Sequence, residues 1–164
     1  MPVRRRRRRA MPSSARRRLR LQEYLPYRLS VAANAVSRLI ARAYESQFGL
    51  GNAQWRLLAV LADEGPLTQR MLCDRTIMDK VSVMRAAQGL LRRGLVKRRP
   101  NAEDGRSHRL SMTAAGRRLY DRIAPLALAY EAQLLAGIGR GDIVRFERLL
   151  RRLEQVASAR VLEG

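Results

Sequence analysis

The sequence predicts a mainly α-helical chain that carries one small β-hairpin. Three observations predict it. Apolar residues recur at three- and four-residue steps through most of residues 21–156, the period of helices that each bury one stripe. Thr, Asp and Asn stand where such segments begin, and Gly stands where they end. Only two strand candidates occur, side by side and joined by turn residues.

The first helix is expected over residues 21–46, with Leu25, Leu29, Ala32, Val36, Leu39, Ile40 and Ala43 forming the stripe. Pro26 fits only in its first turn, because proline lacks the N–H that an interior position needs. Gly49 and Gly51 end the segment. Asn52 is expected to cap a second helix to residue 63, with Trp55, Leu58 and Ala59 facing inward. Gly65-Pro66 breaks the chain. Thr68 caps a short helix to residue 74. After a turn over 75–78, Asp79 caps another, which ends near Arg93 with Gly94 just past it. The strand candidates are 95–99 and 106–112, and Pro100-Asn101-Ala102-Glu103-Asp104-Gly105 between them is turn chemistry. Thr113 caps a helix to residue 138 with Leu119, Ile123, Leu126, Tyr130 and Leu134 on one face; Pro125 inside it predicts a kink. Residues 139–142 break the chain and cap a last helix, whose stripe is Ile143, Phe146, Leu149, Leu150, Leu153 and Val156.

Composition narrows the function. The chain has 164 residues, 34 Lys+Arg against 14 Asp+Glu, and a net charge of +20. At 46% hydrophobic residues it can bury a core. One Cys and one His exclude a disulfide framework and a closed four-ligand zinc site within one chain. There is no Gly-rich phosphate loop, no nucleophile–His–acid set and no metal constellation, so the expectation is no enzyme, no catalytic residues, no metal and no cofactor. No apolar run is long enough to span a bilayer, so no membrane partner is expected. What remains is a protein of a reducing, cytoplasmic compartment with a polyanionic partner.

The charge divides in two. Residues 1–20 hold ten arginines and no acid, and the rest of the chain carries the other +10. Like charges at that density repel, so residues 1–20 are expected to be a disordered arm. The arm is either a phosphate-binding extension that adds salt-sensitive affinity, or a plain solvated extension, or the product of a start codon set too early, with Met11 as a second start. Residues 21–164 form the domain.

Two short helices joined by a tight turn, then a hairpin, is the order of a winged helix-turn-helix, here over residues 52–112. The second helix of such a pair fills the major groove of double-stranded DNA and the hairpin reaches the flanking minor groove. The end helices, 21–46 and 113–160, carry stripes that this small unit cannot cover. A two-fold homodimer would bury them.

At this point residues 25–158 resemble a MarR-type transcriptional regulator. The matching stretches are Gln54-Trp55-Arg56-Leu57-Leu58, Leu67-Thr68-Gln69, Asp79-Lys80-Val81-Ser82-Val83-Met84-Arg85-Ala86 and Gly94-Leu95-Val96-Lys97-Arg98-Arg99-Pro100. Glu103-Asp104-Gly105-Arg106-Ser107 and Met112-Thr113-Ala114-Ala115-Gly116 complete them. The resemblance implies a homodimeric winged helix-turn-helix with dimerising N- and C-terminal helices. It also implies a sequence-specific, nucleoid-associated DNA-binding regulator, most often a repressor on a pseudo-palindromic operator. By the same resemblance Arg106 enters the minor groove, where a narrow groove concentrates negative potential, and Asp104 helps to hold the wing. The reading helix falls on residues 79–93, with Lys80, Ser82, Val83 and Arg85 in its first two turns. Arg85 is left between a fork on guanine and a phosphate contact. Met84 stands where a small polar residue is common in the family, which puts a hydrogen bond there in doubt and leaves an apolar contact with a thymine methyl as the alternative. Gly89 inside this helix has no account beyond close packing.

Many members of the family release DNA when a small aromatic acid, or its coenzyme A thioester, binds. The resemblance therefore nominates Tyr27, Asn34, Trp55, Arg56 and Arg98 as ligand-binding, with Arg56 holding a carboxylate and Trp55 stacking on a ring. The alternative is a core Trp beside a solvated Arg. Cys73 reads as a buried structural thiol and His108 as surface or a phosphate neighbour. The competing reading for the whole chain is a nonspecific, chromatin-like basic nucleic-acid-binding protein without an effector.

Overall fold

The computed structural model describes residues 18–101 and 104–162, and of residues 105, 106 and 160–162 the backbone alone. The chain divides into two compact units, Met1–Val36 and Ser37–Gly164. The expected arm falls almost wholly outside the described residues, which take in only 18–20 of it.

A 3-10 turn, Leu21–Glu23, in the first unit precedes helix α1, Leu25–Phe48, whose residues from Ser37 onward belong to the second unit. The α-helix therefore starts four residues later than expected, with Pro26 in its first turn. It runs on to Phe48, and Gly49 at φ 61° ends it. That left-handed turn favours glycine, and it brings Leu50 into the core.

The second unit holds the remaining elements: α2 Asn52–Glu64, β1 Leu67–Thr68, α3 Gln69–Thr76, α4 Lys80–Arg92, β2 Val96–Asn101, β3 Asp104–Met112, α5 Ala114–Leu135 and α6 Arg140–Leu162. Asn52 does not cap α2. Gly51 takes the N-cap position, and its N–H donates to Gln54 Oε1 at 3.2 Å. Thr68, Asp79 and Thr113 do cap as expected: their side chains accept from the amides of Met71, Ser82 and Gly116.

The sheet has three strands, in the order β1-β3-β2 and antiparallel throughout. β1 is a strand that sequence periodicity does not reveal, since two residues carry no alternation; Leu67 pairs with Leu110 and Thr68 with Arg109. β2 is an edge strand, which suits Pro100, a residue with no N–H to donate. The strands also reach further into the expected turn, to Asn101 and from Asp104. α5 ends at Leu135, three residues before the expected end, and continues through Pro125.

The core of this unit is built from Leu57, Leu58 and Leu61 of α2, Leu72 of α3, Val83 and Leu90 of α4, and Ile123 of α5, each 0–1% exposed, with Tyr44 and Leu50. Two glycines mark the closest approaches. At Gly89 a Cβ would collide with Gln54 Nε2, and at Gly116 with the Leu95 carbonyl. Gly89 inside α4 thus lies against the amide end of Gln54 at the head of α2. The stripe of α6 stays open on this chain: Phe146, Leu149, Leu153 and Val156 are 41–56% exposed.

Candidate nucleic-acid interface

α3, the turn after it and α4 form the helix-turn-helix. Thr76 ends α3 with its hydroxyl donating to Leu72 O at 2.6 Å, and Ile77 follows in the left-handed region, φ 52° and ψ 37°. Asp79 then caps α4. It accepts from the Ser82 hydroxyl at 2.6 Å and the Ser82 amide at 2.9 Å. These two bonds, the hydroxyl's first, hold its carboxyl below the usual aspartate value.

One face of α4 is buried: Val83, Ala86, Ala87, Gly89 and Leu90. At 100° per residue the opposite face carries Val81, Arg85, Gln88 and Arg92, with Met84 and then Lys80 toward one edge. All six are exposed. Of the residues expected to face DNA, Lys80 and Arg85 are thus on the open face. Ser82 is half-buried and its hydroxyl is engaged by Asp79. Val83 corrects the sequence reading: it is 0% exposed, so its side chain is core and has nothing to present to a partner. Val81 takes its place at the centre of the exposed face. The signal was there in the sequence, because 81 lies opposite the apolar set 83, 86, 87 and 90.

Beside α4 stands the β2–β3 hairpin. Lys97, Arg98 and Arg99 are exposed along β2. Asn101, read from sequence as a turn residue, is 7% exposed and bridges the strands. Its Oδ1 accepts from Arg109 Nε at 2.8 Å and its Nδ2 donates to Ser107 Oγ at 2.8 Å. The Ser107 hydroxyl also donates to the Asp104 carbonyl at 3.1 Å. Asp104 is thus tied into the bonded end of the hairpin, with an exposed side chain. Arg106 lies on β3, and its side chain is outside the described residues.

Between the head of α3, α4 and the hairpin lies a cavity of about 450 Å³, whose lining includes Gln69, Met84, Arg98, Asn101 and His108. Arg98 lines this cavity, whereas Trp55 and Arg56 do not. The Trp55 ring stacks on Tyr120 at 5.6 Å and 15° and meets Tyr44 at 5.1 Å and 52°. Tyr120 therefore already covers one of its faces. Burial pushes the Tyr44 hydroxyl up, and Tyr130 adds to the effect. Arg56 is exposed. Tyr27 and Asn34, both exposed, belong to the first unit. Cys73 is half-buried against the core.

Sequence reasoning missed Arg93. Its guanidinium, at the end of α4, donates to Gly49 O at 2.8 Å and Phe48 O at 2.9 Å, the carbonyl that ends α1 and the one just past it. Arg122 of α5 sits 5.4 Å from the Phe48 ring centre. No sequence pattern announces a contact across 44 positions.

The family model that matches this chain, over residues 48–107, is that of the MarR family. An uncharacterized HTH-type transcriptional regulator of Bacillus subtilis, YwoH, is 32% identical over 121 residues, spanning 72% of this chain and 88% of that protein. The chain belongs to the MarR family. This MarR-family regulator is also 28% identical to the HTH-type transcriptional repressor NicR of Pseudomonas putida, over 63% of its own length and 66% of NicR. The solved structure of BpsR from Bordetella bronchiseptica superposes with a TM-score of 0.75 at 21% identity, covering 83% of this chain and 96% of that one. BpsR is a protein whose DNA binding is regulated by 6-hydroxynicotinic acid. The winged-helix fold of the family is therefore the fold of this chain, and its relatives YwoH and NicR are HTH-type transcriptional regulators. No helix among the described residues is long and apolar enough to cross a membrane.

Proposed function

We propose that this regulator is a homodimeric, sequence-specific repressor that binds a pseudo-palindromic operator and is released by a small aromatic acid or its coenzyme A thioester. The observation that carries the reading is α4. It is capped by Asp79, backed by the core along Val83, Ala86, Ala87 and Leu90, and open along the opposite face, with a basic hairpin beside it. A helix fixed on one side and exposed on the other suits insertion into a major groove.

The rest of the reading draws on separate supports. Homodimerisation is supported by the open apolar stripe of α6, a face that a second copy would cover. Repression and an aromatic effector are supported by the likeness to NicR and BpsR. On the DNA, Lys80, Arg85 and Arg106 are the proposed contacts, with Asp104 and Ser82 positioning the wing and the helix head. Arg98 is the effector residue best placed beside a cavity. The ten arginines of residues 1–20 add sequence-independent affinity. The protein works on the nucleoid, in the cytoplasm.

Footprinting tests this directly. The expected result is protection of two half-sites about one helical turn apart, lost when an aromatic acid or its thioester is added. Protection of one unpaired half-site overturns the dimer. A ratio near one between operator and scrambled DNA, compared at several salt concentrations, overturns specific reading in favour of a nonspecific nucleic-acid binder. An effector screen in which no such compound releases DNA overturns the ligand.

A further inference from the structure

The first two turns of α4 expose two apolar side chains. Val81 is 49% exposed and Met84 40% exposed, and both lie in the first two turns after the Asp79 cap. Neither belongs to the buried set behind the helix. By helical angle Met84 and Val81 lie between Lys80 at one edge of the face and Arg85 at the other. Over the first two turns the order is thus cation, apolar, apolar, cation across the width of the helix, with Gln88 and Arg92 on the same face in the turns that follow.

A major groove has the matching cross-section. Its walls are phosphate, which suits the outer cations, and its floor is base edges. Those edges are hydrogen-bond donors and acceptors with one apolar exception, the C5 methyl of thymine. Seating Val81 and Met84 against polar base edges would desolvate donors and acceptors that neither side chain can satisfy. Seating them against methyl groups removes apolar surface from water on both sides.

We infer that Val81 and Met84 are specificity-determining residues, and that each half-site is recognised through thymine methyl groups facing them. This rests on the reading of α4 as the groove-binding helix. It adds which chemical group is read and by which side chains. Arg85 and Lys80 then serve chiefly to hold the helix between the phosphate walls.

The test begins with selection of bound sequences from a random duplex library by the full-length protein. Each selected thymine is then replaced singly by uracil, which keeps the base pair and removes only the methyl. The expected result is a selected half-site in which one or two thymines each lose about fourfold in affinity on conversion to uracil, the value of one buried methyl-sized group. Uracil outside the half-sites costs nothing. Val81→Ala and Met84→Ala, both at exposed positions, should keep the fold by circular dichroism and bring the thymine-to-uracil ratio at their own positions close to one. A selected motif with no uracil penalty overturns the inference, as does a penalty that both variants leave intact; the reading of α4 then survives. Selection of no motif at all overturns the parent reading together with the inference.

Discussion

Replacing Gly116 by alanine should destabilise this protein, although alanine is the better helix former. Gly116 is in the first turn of α5, where the helix crosses the foot of β2. An added Cβ would fall 2.7 Å from Met112 Cγ and closer still to the Leu95 carbonyl oxygen. The methionine end can swing aside. The carbonyl cannot, because it accepts from the Thr113 amide at 3.0 Å and the Thr113 hydroxyl at 3.1 Å, bonds that tie the residue before β2 to the cap of α5. Alanine gains about 1 kcal/mol of helix propensity. Forcing a methyl into a close-packed contact costs roughly 1–3 kcal/mol, and loosening the two Thr113 bonds costs about 1 kcal/mol each. The net loss is about 2–4 kcal/mol, or about 4–16 °C of Tm for a chain of this length. Thermal unfolding followed by circular dichroism, at fixed chain concentration, gives the answer. Gly137→Ala is the control, since a Cβ there meets open space and should be neutral or stabilising by up to about 1 kcal/mol. If Gly116→Ala is as stable as Gly137→Ala, the close approach of α5 to Leu95 is wrong.

Ile77→Gly should raise stability, because Ile77 holds φ 52° and is 87% exposed. Relief of the left-handed strain, roughly 1–2 kcal/mol, exceeds the extra entropy of a glycine in the unfolded chain, roughly 0.4–1 kcal/mol; an unchanged or lower urea midpoint would contradict this. Val83→Ala should cost about 2 kcal/mol as a cavity in the core, whereas Val81→Ala should stay within about 0.5 kcal/mol; equal midpoints for the two variants would reverse the assignment of faces. Asp79 has a lowered folded-state pKa, so its stabilisation is present above the ordinary aspartate value of 3.8 and is lost as pH falls through the folded value. Asp79→Ala should therefore flatten the acid limb of a Tm-versus-pH curve, and a limb of unchanged steepness would remove the cap from the account. Arg93→Met removes two bonds at an exposed site and should cost about 1 kcal/mol, with Arg93→Lys recovering only part of it, since one ammonium does not reproduce the fork.

Much of this architecture is legible because its signals are local. Thr68, Asp79 and Thr113 announce their helices through side-chain oxygens that satisfy amides three residues on. Gly94, at φ 65°, marks an end in the same way. Asn52 misleads because Gln54 reaches back to do the capping from inside the helix. The site is less legible, because a face is defined by what lies behind it. Val83 and Val81 are the same residue type two positions apart, and only the whole apolar set 83, 86, 87 and 90, packed on α2 and α3, tells which of them is core. The long-range links are silent in sequence: β1 on β3, Arg93 on Phe48 and Gly49, and Asn101 between Arg109 and Ser107. Trp55 is legible as an aromatic near the family's ligand region, yet Tyr44 and Tyr120, distant in sequence, decide what it stacks on.

The two-residue strand β1 has a consequence for the order in which the molecule assembles. It joins Leu67 to Leu110, 43 positions apart (110 − 67), and everything between them, α3, α4 and β2, is inside the loop it closes. The β2–β3 hairpin closes over a few residues and is entropically cheap; the β1 pairing is not, and it offers only two residue pairs in return. It gains by forming only once the enclosed helices are already compact. Thr68 is also the residue that caps α3, so the last strand to dock is the step that fixes the head of the helix-turn-helix. Wing and reading helix therefore reach their final mutual geometry together, at that step.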